Sequence, residues 1–107
     1  MTEEYEEYED EYTLPELLTK FKDSCDYHCQ NEFYTRWFIT RVNYCLKEIF
    51  NDDEKKQLGM YQFDKNTMTS NLSDLFDNAD TNETKFRLFM SELDEHSVID
   101  DGYYWKN

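Results

Sequence analysis

Residues Asn31 to Phe50 read NEFYTRWFITRVNYCLKEIF, and their spacing decides the fold class. Apolar side chains recur at Tyr34, Phe38, Val42, Cys45 and Ile49, the three-and-four period of one helix face. Phe33, Trp37 and Leu46 widen that face. A stripe this broad needs more than one neighbour to cover it. The stretch therefore predicts the central helix of a small all-α bundle of about four to five helices.

The flanking segments read as its partners. Thr13-Leu14-Pro15-Glu16 is a helix start: threonine caps, proline suits the first turn, and Glu16 stands where a capping box places it. The helix that follows carries Leu14, Leu17 or Leu18, Phe21 and Cys25 on one face and is expected to end near Gln30. After the central helix, Asn51-Asp52-Asp53 caps a short helix over 53–62 that Gly59 interrupts. A loop over 63–69 precedes a helix over 70–78, with Leu72, Leu75 and Phe76 directed inward. Asp80 with Glu83 repeats the capping-box pattern ahead of a last helix, 81 to about 97, whose inner face is Phe86, Phe89, Met90 and Leu93. The ending, 98–107, is irregular, with Tyr103, Tyr104 and Trp105 expected to pack back on the bundle.

Composition narrows the class further. A chain of 107 residues is one domain, here a helical unit 13–107 behind an arm 1–12. Two glycines and one proline are too few for a turn-rich β sandwich or for a glycine-rich phosphate loop. No run approaches the ~18 apolar residues that span a bilayer. The start MTEEYEEYED is acidic where a signal peptide is basic and then apolar, so a cytoplasmic location is expected. There the sequons at Asn71 and Asn82 carry no weight, and Cys25, Cys29 and Cys45 are expected as reduced, buried thiols. Nine tyrosines, eight phenylalanines and two tryptophans supply core area that the low mean hydropathy would otherwise deny.

The formal net charge is −14. Such a chain repels nucleic acid and anionic membrane, so no direct nucleic-acid or membrane contact is expected and the partners should be basic. Residues 1–16 hold eight of the 25 acids and no base. Tyr5, Tyr8 and Tyr12 are spaced to share a helix face, yet Glu3 with Glu7, Glu7 with Glu11 and Glu6 with Asp10 repel at i, i+4. The arm is therefore expected to be disordered alone and to order on a basic surface, as a Tyr-faced helix or an extended strip. Seven acids from Glu3 to Glu11 (Glu3, Glu4, Glu6, Glu7, Glu9, Asp10, Glu11) fall within nine residues. Extended at ~3.3 Å per residue, that is one charge per ~4 Å, against ~3.4 Å per charge along one DNA strand. Further acids cluster at Asp52, Asp53 and Glu54, at Asp74 and Asp77 with Asp80, at Glu92, Asp94 and Glu95, and at Asp100 and Asp101. The plainer reading of the arm is a solubility tail, and that of each cluster a solvated helix end.

Cys25, His28 and Cys29 form the one metal-like cluster, which Cys45 or His96 could complete as a tetrahedral site. Their spacing is not that of a zinc knuckle, and Cys25 and Cys45 lie on apolar faces where cysteine fills cores, so no metal or other cofactor is assigned. No nucleophile elbow, phosphate loop or HExxH motif is present, and no catalytic residue is assigned. Arg36, Arg41, Lys20, Lys22 and Lys47 are read as pairing internally with Asp23, Asp26, Glu32 and Glu48.

In size, charge and aromatic content, with EEYEEYEDEY at its start, scattered acidic clusters and a short helical core, the chain resembles small acidic phage-encoded inhibitors of the DNA-mimic type, anti-restriction and anti-CRISPR proteins among them. The resemblance is one of composition and carries no family residue across. It implies a non-enzymatic inhibitor in the cytoplasm of a bacterial host. Such an inhibitor would bind a basic nucleic-acid-binding protein, a defence nuclease or host nucleic-acid enzyme, and occlude its nucleic-acid site. Its partner-binding residues would be the arm, Glu3 to Tyr12, together with Asp52, Asp53, Glu54, Asp74, Asp77, Asp100 and Asp101. The alternative is a helical adaptor that binds through apolar contacts and exposed aromatics, with the arm serving only solubility.

Overall fold

The computed structural model describes residues 12–96 and Val98. They form five α-helices and one 3-10 turn: α1 Leu14–His28, α2 Glu32–Ile49, α3 Asp52–Leu58, α4 Met68–Asn78, the turn Ala79–Asn82 and α5 Glu83–Glu95. The described residues contain no strand, and the all-α reading holds. Helix α2 is central in packing as in sequence, lying against both α1 and α5.

Local chemistry fixes the helix boundaries. Thr13 and Glu16 make the full capping box: the Glu16 amide donates to the threonine hydroxyl at 3.3 Å, and the Thr13 amide donates to the Glu16 carboxylate at 2.7 Å. Helix α1 stops at His28, and a short break leads to Asn31, whose side-chain oxygen accepts the Tyr34 amide at 3.0 Å and starts α2. Asn51 and Glu54 form a second capping box at the head of α3. Gly59 ends α3 with φ +78°, so the glycine terminates the helix where an interruption was expected. A side chain there is excluded twice, because a Cβ on Gly59 would also overlap the Asp74 side chain. The Gly59 carbonyl is held by the Asn71 amide at 2.7 Å, which docks α4 on the end of α3.

The core is aromatic. Phe21 of α1 meets Phe38 of α2, Phe63 of the connecting loop and Phe89 of α5, with ring centroids 5.7–6.4 Å apart. Phe50 and Phe86 extend the cluster through Phe89, and Leu46, Leu58, Met60, Leu75, Leu93 and Val98 close it. These rings meet tilted or edge-on, the geometry aromatic quadrupoles favour.

Four expectations are corrected. The inward face of α2 is Thr35, Phe38, Val42, Cys45 and Leu46, with Ile49 half-buried; Phe33 and Tyr34 point outward. Phe76 is exposed, because Asn71 and Leu75 occupy the buried line of α4 and Leu72 lies beside it. Helix α4 starts at Met68, inside the expected loop, after Thr67 has closed a turn onto the carbonyls of Gln62 and Asp64. Asp80 and Glu83 make no capping box: α4 runs into α5 through the 3-10 turn, Asp80 lies inside that turn, and α5 starts at Glu83 without a side-chain cap. The arm before Tyr12, and Tyr103, Tyr104 and Trp105, lie outside the described residues.

Candidate partner-binding surfaces

Among the acidic candidates, Glu3 to Glu11, Asp100 and Asp101 lie outside the described residues. Tyr12, counted with the arm, is held on the bundle: the Lys20 ammonium sits 3.8 Å over its ring, and Arg87 donates to its carbonyl at 3.1 Å. Glu54 is also engaged internally. Lys85 of α5 donates to both of its carboxylate oxygens, at 2.8 and 2.7 Å. That hydrogen bonding, with the Asn51 amide, holds the Glu54 carboxyl below its ordinary pKa. Asp52 lies 3.4 Å from Lys55 and remains mostly exposed. Asp53, Asp74 and Asp77 are exposed and form no ion pair among the described residues. The packing of α3 on α4 gathers Asp52, Asp53, Asp74 and Asp77 on one helix pair.

Cys25 and Cys45 are buried, and His28 and Cys29 are half-buried. Burial pushes the Cys25 thiol far up, raises Cys29 less, and raises Cys45 to about 11. The His28 ring lies against Trp37 and Phe38, with centroids 5.4 and 5.2 Å away, and its Nε2 bonds the Val98 carbonyl at 2.8 Å. A carbonyl partner puts the proton on Nε2, and burial lowers the pKa. Among the described residues no group of three His, Cys, Asp or Glu side chains is placed to hold a metal ion.

A surface that the sequence reading missed lies on the outer side of α2. Phe33, Arg36, Trp37, Thr40, Arg41 and Tyr44, with His96 beyond the end of α5, line an open groove of about 690 Å³. Their spacing is again helical, so α2 carries a second stripe back to back with its core stripe. Phe33 is 70% exposed and Tyr44 46%. The Arg41 guanidinium lies 5.7 Å from the Trp37 ring, and Lys47 lies 6.0 Å from the Tyr44 ring. Neither arginine forms an ion pair among the described residues, whereas the expected pair Lys22–Asp26 is present at 3.2 Å. This corrects the expected pairing of Arg36 and Arg41. The available signal was the run Phe33, Arg36, Trp37, Thr40, Arg41, Tyr44, hidden by counting Phe33 with the core; Trp37 does pack against the core and lines the groove as well. Two guanidinium groups among aromatic rings suit a ligand that carries carboxylates and rings of its own.

No helix among the described residues is long and apolar enough to cross a membrane. No protein-family model, curated protein or solved structure matches the chain.

Proposed function

We propose that this chain is a non-enzymatic inhibitor. It binds a basic nucleic-acid-binding protein, a defence nuclease or host nucleic-acid enzyme, and covers its nucleic-acid site with acidic side chains. The supporting observation is the disposition of charge. The net charge is −14, and the bundle spends four of its bases, Lys22, Lys55, Lys85 and Arg87, on its own acids. Asp53, Asp74 and Asp77 are left facing solvent on the α3–α4 pair. Apart from them, the acids from Glu3 to Glu11 would carry one charge per ~4 Å if extended, a density close to that of a DNA strand. Tyr5 and Tyr8 supply rings for guanidinium stacking.

The test is capture of partners from a lysate of a bacterial host, eluted in salt steps and, separately, with competing duplex DNA. Mimicry requires a nucleic-acid-binding protein released by both, and a chain lacking residues 1–11 that binds it more weakly with a flatter salt dependence. Equal binding and inhibition by that shortened chain overturns the arm-based mechanism.

The exposed rings of Phe33 and Tyr44, with the half-buried Trp37, favour a second reading, an adaptor that binds a partner protein through the α2 groove. Its complex would survive ~0.5 M salt, where exposed charges are screened within a few ångströms, and would ignore DNA.

A further inference from the structure

We propose that the α2 groove is a docking site for this chain's own segment 99–107, Ile-Asp-Asp-Gly-Tyr-Tyr-Trp-Lys-Asn, laid along α2 from the Tyr44 end towards Phe33. The proposal is independent of the mimicry reading.

The course of the chain selects this occupant. At the end of α5, His96 lines the groove with its ring 5.7 Å from that of Tyr44. Two residues on, Val98 is fully buried; its amide donates to the Leu93 carbonyl at 2.9 Å and its carbonyl bonds His28. His28 in turn packs against Trp37, two turns of α2 before Tyr44. The backbone has therefore turned back and already advanced along α2 towards its start. Arg36 and Phe33 lie further along that direction on α2.

Reach and chemistry agree. From Trp37, which His28 links to Val98, Phe33 and Arg41 each lie about 6 Å away along α2 at ~1.5 Å per helical residue. Extended at ~3.3 Å per residue, residues 99–105 cover about 23 Å. Asp100 and Asp101 bring two carboxylates to Arg36 and Arg41, which have no ion pair among the described residues. Gly102 allows the backbone to bend before Tyr103, Tyr104 and Trp105 reach the rings of Phe33 and Trp37. The N-terminal arm is less well placed. Its junction, Tyr12, is bound to Arg87 near the start of α5, whereas the groove opens at His96 beyond that helix's other end.

The experiment uses a chain stopped after Val98, which keeps that buried residue, and a fluorescein-labelled peptide of residues 99–107 followed by anisotropy. The peptide is expected to bind the shortened chain saturably and the full chain at least about tenfold more weakly, because the groove is filled in cis. Arg36→Glu with Arg41→Glu in the shortened chain should weaken binding by about tenfold or more, with circular dichroism and melting unchanged. Should the shortened chain not fold, the full chain carrying Asp100→Asn and Asp101→Asn takes its place, and it should admit the peptide better than the unaltered full chain does. Absence of saturable binding to the shortened chain when folded, or no gain for the double variant, overturns the proposal. So does preferential binding of a peptide of residues 1–11. Concentration-dependent dimerisation of the folded shortened chain without peptide binding assigns the groove to a second copy and overturns it equally.

Discussion

Phe38 and Phe33 are the same side chain on the same helix, little more than a turn apart, and they do opposite things. Phe38 has no exposed surface and meets Phe21, Phe63 and the His28 ring. Phe33 is 70% exposed, with Tyr34 as its ring partner at 5.2 Å. The inward face of α2 touches α1, α5 and the loop around Phe63, and everything on it is satisfied: even Thr35 donates its hydroxyl to the Asn31 carbonyl at 2.7 Å. The outward face has comparable aromatic content but adds Arg36 and Arg41, which a closed core could not hold without partners. One face therefore builds the fold, and the other sets two arginines and exposed rings at the surface.

The sharpest way to break this division is Phe38→Ala. Removing a fully buried ring leaves a cavity among Phe21, Phe63 and the His28 ring, and should cost about 3–5 kcal/mol in urea unfolding. A cost near 1 kcal/mol would mean that the inner face is not the core. A smaller effect is expected at the cap that starts both faces together. Asn31→Ala removes the acceptor for the Tyr34 amide and should cost about 1 kcal/mol.

His28 touches one ring from each face, Phe38 inside and Trp37 outside, and so reports on their boundary. Its pKa is lowered by burial, so below the ordinary value the unfolded chain binds the proton more readily than the folded one. The stability it contributes is complete above pH ~6.5 and is lost as the pH falls from there through the folded-state pKa. Melting temperatures across that window should fall more steeply for the natural chain than for His28→Asn; parallel curves would refute the assignment. The smallest effect belongs outside: Phe33→Ala, in a chain stopped after Val98, should change unfolding by no more than about 0.5 kcal/mol. A loss as large as that at Phe38 would erase the distinction between the faces.

Much of the architecture was readable from spacing. The Thr13–Glu16 box, the Asn51 cap, the inner residues Phe86, Phe89, Met90 and Leu93 of α5 and the all-α class follow from local rules, because caps and one-sided stripes are local properties. The orientation of α2 was harder. Its apolar residues cover more than half of the helix circumference, so periodicity could not say which part faces α1 and α5. Phe76 was misplaced for a related reason: the buried line of α4 passes through polar Asn71, whose amide serves the Gly59 carbonyl, and not through the phenylalanine. The arginines of the groove escaped notice because an i, i+4 carboxylate in sequence, Glu32 before Arg36, implies a pair that the bundle does not form.

The left-handed turn at Gly59 has a meaning for descent as well as for packing. Its backbone angle disfavours any side chain, and the neighbouring Asp74 leaves no volume for one. The overlap is with the Asp74 Cβ, which even alanine would keep, so only a second glycine at 74 would relieve the second constraint, and the first would remain. A lineage that keeps the α3–α4 pair can let its surface charges and aromatics drift, but not this glycine. A distant cousin of this chain would be recognised by a capped short helix ending in that glycine, long after the acidic residues had been exchanged.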